Sequence, residues 1–118
     1  MDKSLVSETG VDIPGSVMNA GYYRDGVKVV VISVSKDFLD QVPHAMGERR
    51  EFTFILGGIR YKAGTRTTEK MAYLKICPDL VGEGGEDVRL ADLLSPLGLK
   101  TKDPVTLRVN GVALELIV

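Results

Sequence analysis

Residues 52–77 read FTFILGGIRYKAGTRTTEKMAYLKIC, and the interpretation of the whole chain starts from this stretch. Its two ends, 52–56 and 71–77, are apolar runs rich in residues that favour β-strands. From Arg60 to Lys70 the sequence carries three Thr, two Arg and two Lys. Because a hydrophobic core rarely accepts so many polar groups, we expect any working surface of this protein to lie in this middle part.

The length of 118 residues predicts a single domain with a real hydrophobic core. No apolar run approaches the roughly 20 residues of a membrane helix, and the N-terminus lacks the apolar segment of a signal peptide. We therefore expect no membrane partner and a cytoplasmic location, or a nuclear one in a eukaryote. We divide the chain into an N-terminal arm, 1–15, and a single β-barrel domain, 16–118.

The chain has one cysteine, Cys77, and one histidine, His44. These counts exclude an internal disulfide, a cysteine-based zinc cluster and a histidine-rich metal site. We expect Cys77 to be packed as a small apolar side chain. Since no carboxylates cluster either, the sequence predicts no catalytic residue, no metal site and no cofactor, and an enzyme is the weakest hypothesis.

The net charge of −1 hides two blocks of opposite sign. Residues 49–70 hold six Lys or Arg against two Glu, whereas residues 79–92 hold five Asp or Glu against one Arg. This separation is compatible with a face that binds an anion. It is also compatible with two solvated loops that pair with each other, which charge alone favours.

The pattern of apolar residues and turn signals predicts seven short strands and two short helices. The strands are expected at 17–23, 27–34, 50–56, 59–63, 71–77, 105–109 and 112–117. One helix begins after Ser35 and ends at Pro43, and the other covers 90–97. We expect 64–70 and the acidic segment 78–87 to be loops, and Asn110-Gly111 to form a type I′ turn. The fold class is mainly β, a seven-stranded open or closed barrel, because closure removes exposed edges.

Three segments carry a resemblance to a known family, namely the strand that runs into a helix at 29–39, the basic turn at 64–70 and the passage 97–107. They resemble the DNA-binding pseudobarrel of plant B-three transcription-factor domains and of the effector domain of EcoRII-type restriction endonucleases. The passage 97–107 departs from the family pattern, because Lys-Asp-Pro at 102–104 stands where Gly-Asp is common.

The resemblance implies sequence-specific binding of double-stranded DNA, without catalysis, by two arms that clasp the major groove. The residues placed on DNA in this way are Tyr23, Arg24 and Lys28 in the first arm and Arg60, Lys62, Thr65, Arg66, Thr67, Thr68 and Lys70 in the second. The side chains suit such a role: Arg66 can pair with a guanine edge, and Lys62 and Lys70 can contact phosphates. The threonines can donate to phosphates or touch a thymine methyl group. The alternative for all these residues is an ordinary exposed strand face and solvated loop.

A second hypothesis is a protein-interaction module of β-grasp-like or small-barrel type. Residues 88–99 and 109–111 also resemble the helix-then-strand passage of ubiquitin-like sulfur carriers. The chain ends in Glu-Leu-Ile-Val rather than Gly-Gly, which removes the carrier chemistry and leaves another protein as the partner.

Overall fold

The computed structural model describes residues 10–118, which form nine strands and three short helical segments. The strands are β1 Val11–Tyr22, β2 Lys28–Ser35, β3 Arg50–Leu56, β4 Ile59–Arg66, β5 Tyr73–Ile76, β6 Asp79–Val81, β7 Asp87–Arg89, β8 Pro104–Asn110 and β9 Ala113–Ile117. The helical segments are the 3-10 helix Lys36–Gln41, the α-helix Leu90–Leu94 and the 3-10 turn Ser95–Leu97. No helix in 10–118 has the length and apolar character needed to cross a membrane.

Seven of the strands close into a barrel in the order β1, β2, β5, β4, β3, β9 and β8. The strand β3 pairs antiparallel with β4 and parallel with β9, so Phe54 lies between Tyr61 and Leu114. The hairpin β6–β7 lies outside this ring and joins it through β4. The predicted seven-stranded barrel with two short helices is confirmed, and the β-grasp-like fold of the alternative hypothesis is not the one observed.

The barrel interior is built from alternating apolar residues. In β8, for example, Leu107 is fully buried between the exposed side chains of Thr106 and Arg108. The strand β2 differs, because the consecutive residues Val31 and Ile32 are both fully buried. This burial confirms that β2 is covered on both faces, as its continuous apolar run predicts.

The two helical regions begin and end where the sequence indicates. The hydroxyl of Ser35 accepts a hydrogen bond of 3.2 Å from the backbone N–H of Asp37 and so caps the first helix. The second helix buries Leu90 and Leu94 against the core. Gly98 follows with a φ of 73°, the left-handed conformation that ends a helix.

The predicted boundary between arm and barrel is wrong by several residues. The strand β1 begins at Val11 and pairs with β8 from Val11 through Ser16. Ile13 is buried in the core, so 11–15 belong to the barrel. Pro14 is tolerated because β1 has its β8 neighbour but no β2 partner at this position. The first nine residues of the predicted arm lie outside the described residues.

The acidic segment 78–87 is not a loop over its whole length. Asp79 pairs with Arg89 and Val81 with Asp87, which makes a short β6–β7 hairpin. Leu80 is buried in the core and anchors this hairpin. The prediction failed because a strand of three residues shows too little alternation to be recognised.

The turn between β8 and β9 also differs from the prediction. Asn110 pairs with Ala113, so the two turn residues are Gly111 and Val112. Gly111 has a φ of 64°, whereas neither Asn110 nor Val112 has a positive φ. A type I′ turn centred on Asn110 and Gly111 is therefore wrong.

Candidate nucleic-acid interface

The strand β4 carries a row of basic side chains on the outside of the barrel. Its inward residues include Ala63 and Thr65, which are buried, and its outward residues are Arg60, Lys62, Gly64 and Arg66. Residues two apart on a strand are separated by roughly 7 Å, so the row from Arg60 to Arg66 is about 20 Å long. Arg60 and Lys62 are exposed on this strand, as is Arg66 at its end, whereas Ile59 is exposed as well and does not point into the core.

Arg49, just before β3, fills the gap in this row at Gly64. A β-carbon built on Gly64 would lie 2.5 Å from both Cζ and Nε of the Arg49 side chain. The guanidinium group therefore lies directly over the glycine, between Lys62 and Arg66. Sequence reasoning missed Arg49 as a site residue, although a glycine inside a strand often marks a close approach by another group.

Lys75 adds a fifth basic side chain beside the row. It is the partner of Arg66 in the pairing of β4 with β5, so both point outward at neighbouring positions. Like charges directly opposite each other on a sheet are destabilising unless an anion lies between them. The cationic face is defined as Arg49, Arg60, Lys62, Arg66 and Lys75.

None of the five side chains of the cationic face is neutralised by an ion pair within residues 10–118. The two ion pairs of this part of the chain join Arg89 to Asp25 at 2.9 Å and Arg108 to Asp12 at 2.8 Å. Neither pair includes a residue of β4. The positive charges of the cationic face are therefore free to meet an external anion.

The turn that follows β4 is held in place by its own threonines and by a lysine from the first helix. The hydroxyl of Thr67 donates to the carbonyl of Tyr73 at 2.9 Å, and that of Thr68 accepts from the N–H of Met71 at 3.2 Å. The ammonium group of Lys36 donates to the carbonyl of Thr68 at 2.7 Å. The turn thus has a defined shape, and Lys70 is exposed on it.

Two of the predicted contact residues are not at the surface. Thr65 and Thr67 are fully buried, and the hydroxyl of Thr65 donates to the carbonyl of Pro43 at 2.6 Å. A buried hydroxyl that bonds to the backbone cannot also bind a phosphate. The expectation that the polar residues of 60–70 all lie outside the core is therefore wrong for these two threonines.

The first arm and the turn 64–70 of the second arm lie at opposite ends of β2. Ser35, at the end of β2, pairs with Tyr73 next to the β4–β5 turn, whereas Lys28, at its start, pairs with Tyr22. The strand between them is about 23 Å long. Arg24 and Lys28 are exposed but do not join the cationic face. The structure therefore does not place the first arm beside the turn 64–70.

Tyr23, the remaining residue of the first arm, is engaged within the molecule. Its hydroxyl donates to Asp79 at 3.0 Å, and Cζ of Arg89 lies 3.8 Å from the centre of its ring. Burial, followed by the hydrogen bond to Asp79, raises the pKa of Tyr23 to about 12. Arg89 also pairs with Asp25, so these four residues tie the β1–β2 turn to the β6–β7 hairpin.

At its Arg60 end the cationic face borders a cleft. The cleft has a volume of about 400 Å³, and its walls include Arg60, Lys62 and Thr53 on one side and Gly82 and Glu83 on the other. Acidic and basic side chains thus share one space without forming an ion pair. The basic and acidic blocks of the sequence meet here, at the turn of the β6–β7 hairpin.

No group of three His, Cys, Asp or Glu side chains in 10–118 is arranged to hold a metal ion. Cys77 is buried, as predicted for a packed apolar side chain. Comparison with models of protein families, with curated proteins and with solved structures found no match to this chain. The resemblance to the DNA-binding pseudobarrel stays a prediction.

Proposed function

We propose that this protein binds double-stranded DNA through the cationic face and does not act on it chemically. The observation that carries the proposal is the row formed by Arg60, Lys62, Arg49 and Arg66 along one strand, with no ion-pairing partner in 10–118. Keeping so many like charges side by side costs free energy, which a polyanion offsets.

The linear arrangement suits a sugar–phosphate backbone. Outward side chains of a strand recur every ~7 Å, a step close to the separation of successive phosphates along one nucleic-acid strand. Arg60, Lys62 and Arg49 are therefore assigned to phosphates, which fix the position of the duplex without reading its sequence. Such contacts release counterions, so affinity falls as salt concentration rises.

Sequence reading is assigned to the other end of the row. Arg66 ends β4, and the turn after it is held by Lys36 and Thr67 and exposes Lys70. A guanidinium group on a rigid support can form two parallel hydrogen bonds to guanine, worth roughly 1–3 kcal/mol of discrimination. Arg66 is therefore the proposed base-reading residue, with Lys70 and Lys75 on flanking phosphates.

The net charge of −1 does not argue against this assignment. Charges more than about 8–10 Å away are largely screened at physiological salt, so a local row of cations acts without regard to distant carboxylates. We expect measurable but strongly salt-dependent affinity rather than tight binding.

The test compares two double variants by fluorescence anisotropy with a mixed-sequence duplex at low and at physiological salt. Arg66→Ala with Lys75→Ala removes two charges of the cationic face, and Arg24→Ala with Lys28→Ala removes two exposed charges at the far end of β2. The first variant should bind more weakly, with a salt slope lower by about two. The control should bind like the original protein. Equal losses in both variants, or no binding at low salt, would overturn the proposal.

The second candidate is a protein-interaction module of small-barrel type. An apolar groove of about 500 Å³ favours it, lined by residues that include Leu97, Leu99, Pro104 and Ile117. Leu97 is exposed in this groove although it is a large apolar side chain. Absence of DNA binding would make this groove the better candidate surface.

A further inference from the structure

The hairpin β6–β7 is an addition to the barrel that lies against the cationic face. It is outside the closed ring and touches it where Lys62 pairs with Val81. Directly after Val81, the turn carries Glu83 into the cleft that Arg60 and Lys62 line. A carboxylate thus stands across from two of the five cations that the proposed function assigns to DNA.

The turn that carries Glu83 has a fixed shape. The N–H of Gly82 donates to the carbonyl of Glu86 at 2.8 Å, and the N–H of Gly85 donates to the carbonyl of Gly82 at 3.0 Å. The carboxylate of Glu86 folds over Gly82, where a β-carbon would overlap it. Glu83 is therefore held at the rim of the cleft by the backbone around it.

The base of the hairpin is anchored as well. Leu80 is buried in the core, and Arg89 and Asp79 hold the hairpin against the β1–β2 turn through Asp25 and Tyr23. Asp79 and Arg89 line a different cavity from the one that Glu83 shares with Arg60 and Lys62. The backbone position of Glu83 at the rim of the cleft is thus set by the fold.

We propose that Glu83 competes with phosphate at the Arg60–Lys62 end of the cationic face and so limits the affinity of the protein for polyanions. The inference rests on the proposed function and concerns its regulation. Glu83 lines the same cleft of about 400 Å³ as the two cations. No ion pair in 10–118 joins Glu83 to either cation. Glu83 therefore lowers the positive electrostatic potential around Arg60 and Lys62 without fixing either side chain in place.

A duplex therefore engages the two ends of the row unequally. Arg49, Arg66 and Lys75 do not line the cleft that Glu83 shares with Arg60 and Lys62. At Arg60 and Lys62 an approaching phosphate is repelled by Glu83. Phosphate contacts at these two residues therefore contribute less to affinity than those at the other end of the row. Removing this one charge should strengthen binding more than removing a nearby acidic charge that faces elsewhere.

The test measures duplex affinity of Glu83→Gln against Asp87→Asn. Asp87 is exposed on the same hairpin but lines a different cavity, with Tyr23 and Arg89. At low salt Glu83→Gln should bind about two- to fivefold more tightly, as expected for one exposed charge pair, and the gain should vanish at high salt. Asp87→Asn should give less than half of that gain.

A background variant separates this inference from the proposed function. In a protein with Arg60→Ala and Lys62→Ala, Glu83→Gln should no longer increase affinity. Equal affinity of Glu83→Gln and the original protein, with both binding the duplex, would overturn the inference and leave the proposed function in place. Failure of both to bind at low salt would overturn the proposed function itself. Circular dichroism checks that each variant is folded.

Discussion

The guanidinium group of Arg49 lies against Gly64, at the position where an outward side chain would interrupt the row of cations on β4. The glycine makes room for a charged group that comes from another segment of the chain. A strand can thus carry an unbroken line of cations although one of its own outward positions has no side chain. A substitution at Gly64 can therefore displace the charge of Arg49 without changing Arg49 itself.

Gly64→Ala should displace Arg49 and weaken duplex binding. Gly64 does not have a positive φ, so alanine fits the backbone, and the three atoms nearest to the new methyl group are Cγ, Nε and Cζ of the Arg49 side chain. We expect the melting temperature to change by only a few degrees, since a strand alanine costs less entropy than glycine. The salt slope of binding should fall by about one, as for the loss of one phosphate contact.

The control for this prediction is a double-mutant cycle with Arg49→Ala. If both changes act on the same charge, combining them should cause no loss beyond that of either alone. Additive losses would show that Arg49 reaches the duplex from a position that Gly64 does not define.

Thr65→Val should lower the free energy of unfolding by roughly 1–3 kcal/mol. The change removes the hydroxyl that donates to the carbonyl of Pro43 at 2.6 Å and leaves that acceptor without its partner in a buried place. The matched control is Thr53→Val, an outward and half-buried position on β3 with no side-chain hydrogen bond in 10–118. Urea denaturation compares the two, and equal small effects would contradict the assigned role of Thr65.

The burial of Thr65 was within reach of the sequence. Ala63 and Thr65 are two residues apart on β4, and the alternation that points Ala63 inward places Thr65 inward too. The prediction stopped at Ala63 because threonine and arginine next to a glycine are typical of a loop. Thr65 is buried together with a tertiary contact to Pro43, which is far away in the sequence. No local pattern predicts that contact.

Other features lay beyond any local pattern. The long apolar run of β2 and the cap at Ser35 predicted their elements well, because strand propensity and capping act over a few residues. The contact of Arg49 with Gly64 joins two strands, and the separation of the arms depends on which end of β2 each turn meets. Such facts follow from register, which a single sequence specifies only through the assembled sheet.

Asp25→Asn should reduce the stability of the protein at neutral pH but not in strong acid. A hydrogen bond from the N–H of Val27 and the ion pair with Arg89 hold the pKa of Asp25 below its ordinary value of 3.8. A lowered carboxyl pKa stabilises the folded state fully above the ordinary value. This contribution is lost as the pH falls through the lowered value, because protonation then removes both interactions.

The measurement is the free energy of unfolding of both proteins at a series of pH values. The difference between them should be constant at neutral pH and should narrow below about pH 4. Arg89→Ala should also make the free energy of unfolding less sensitive to acid, since it removes the charged partner of Asp25. A difference that stays constant into strong acid would contradict the interaction.

The parallel pairing of β3 with β9 has a consequence for the newly made chain. Thr53 pairs with Ala113 and Ile55 with Glu115, so one edge of β3 stays unpaired until the end of the chain has been made. During synthesis the β3–β4 hairpin therefore presents a bare strand edge to other nascent chains, the situation in which exchange of strands between molecules is easiest. The barrel closes late, because closure joins parts of the chain that are distant in sequence. We therefore expect slow folding.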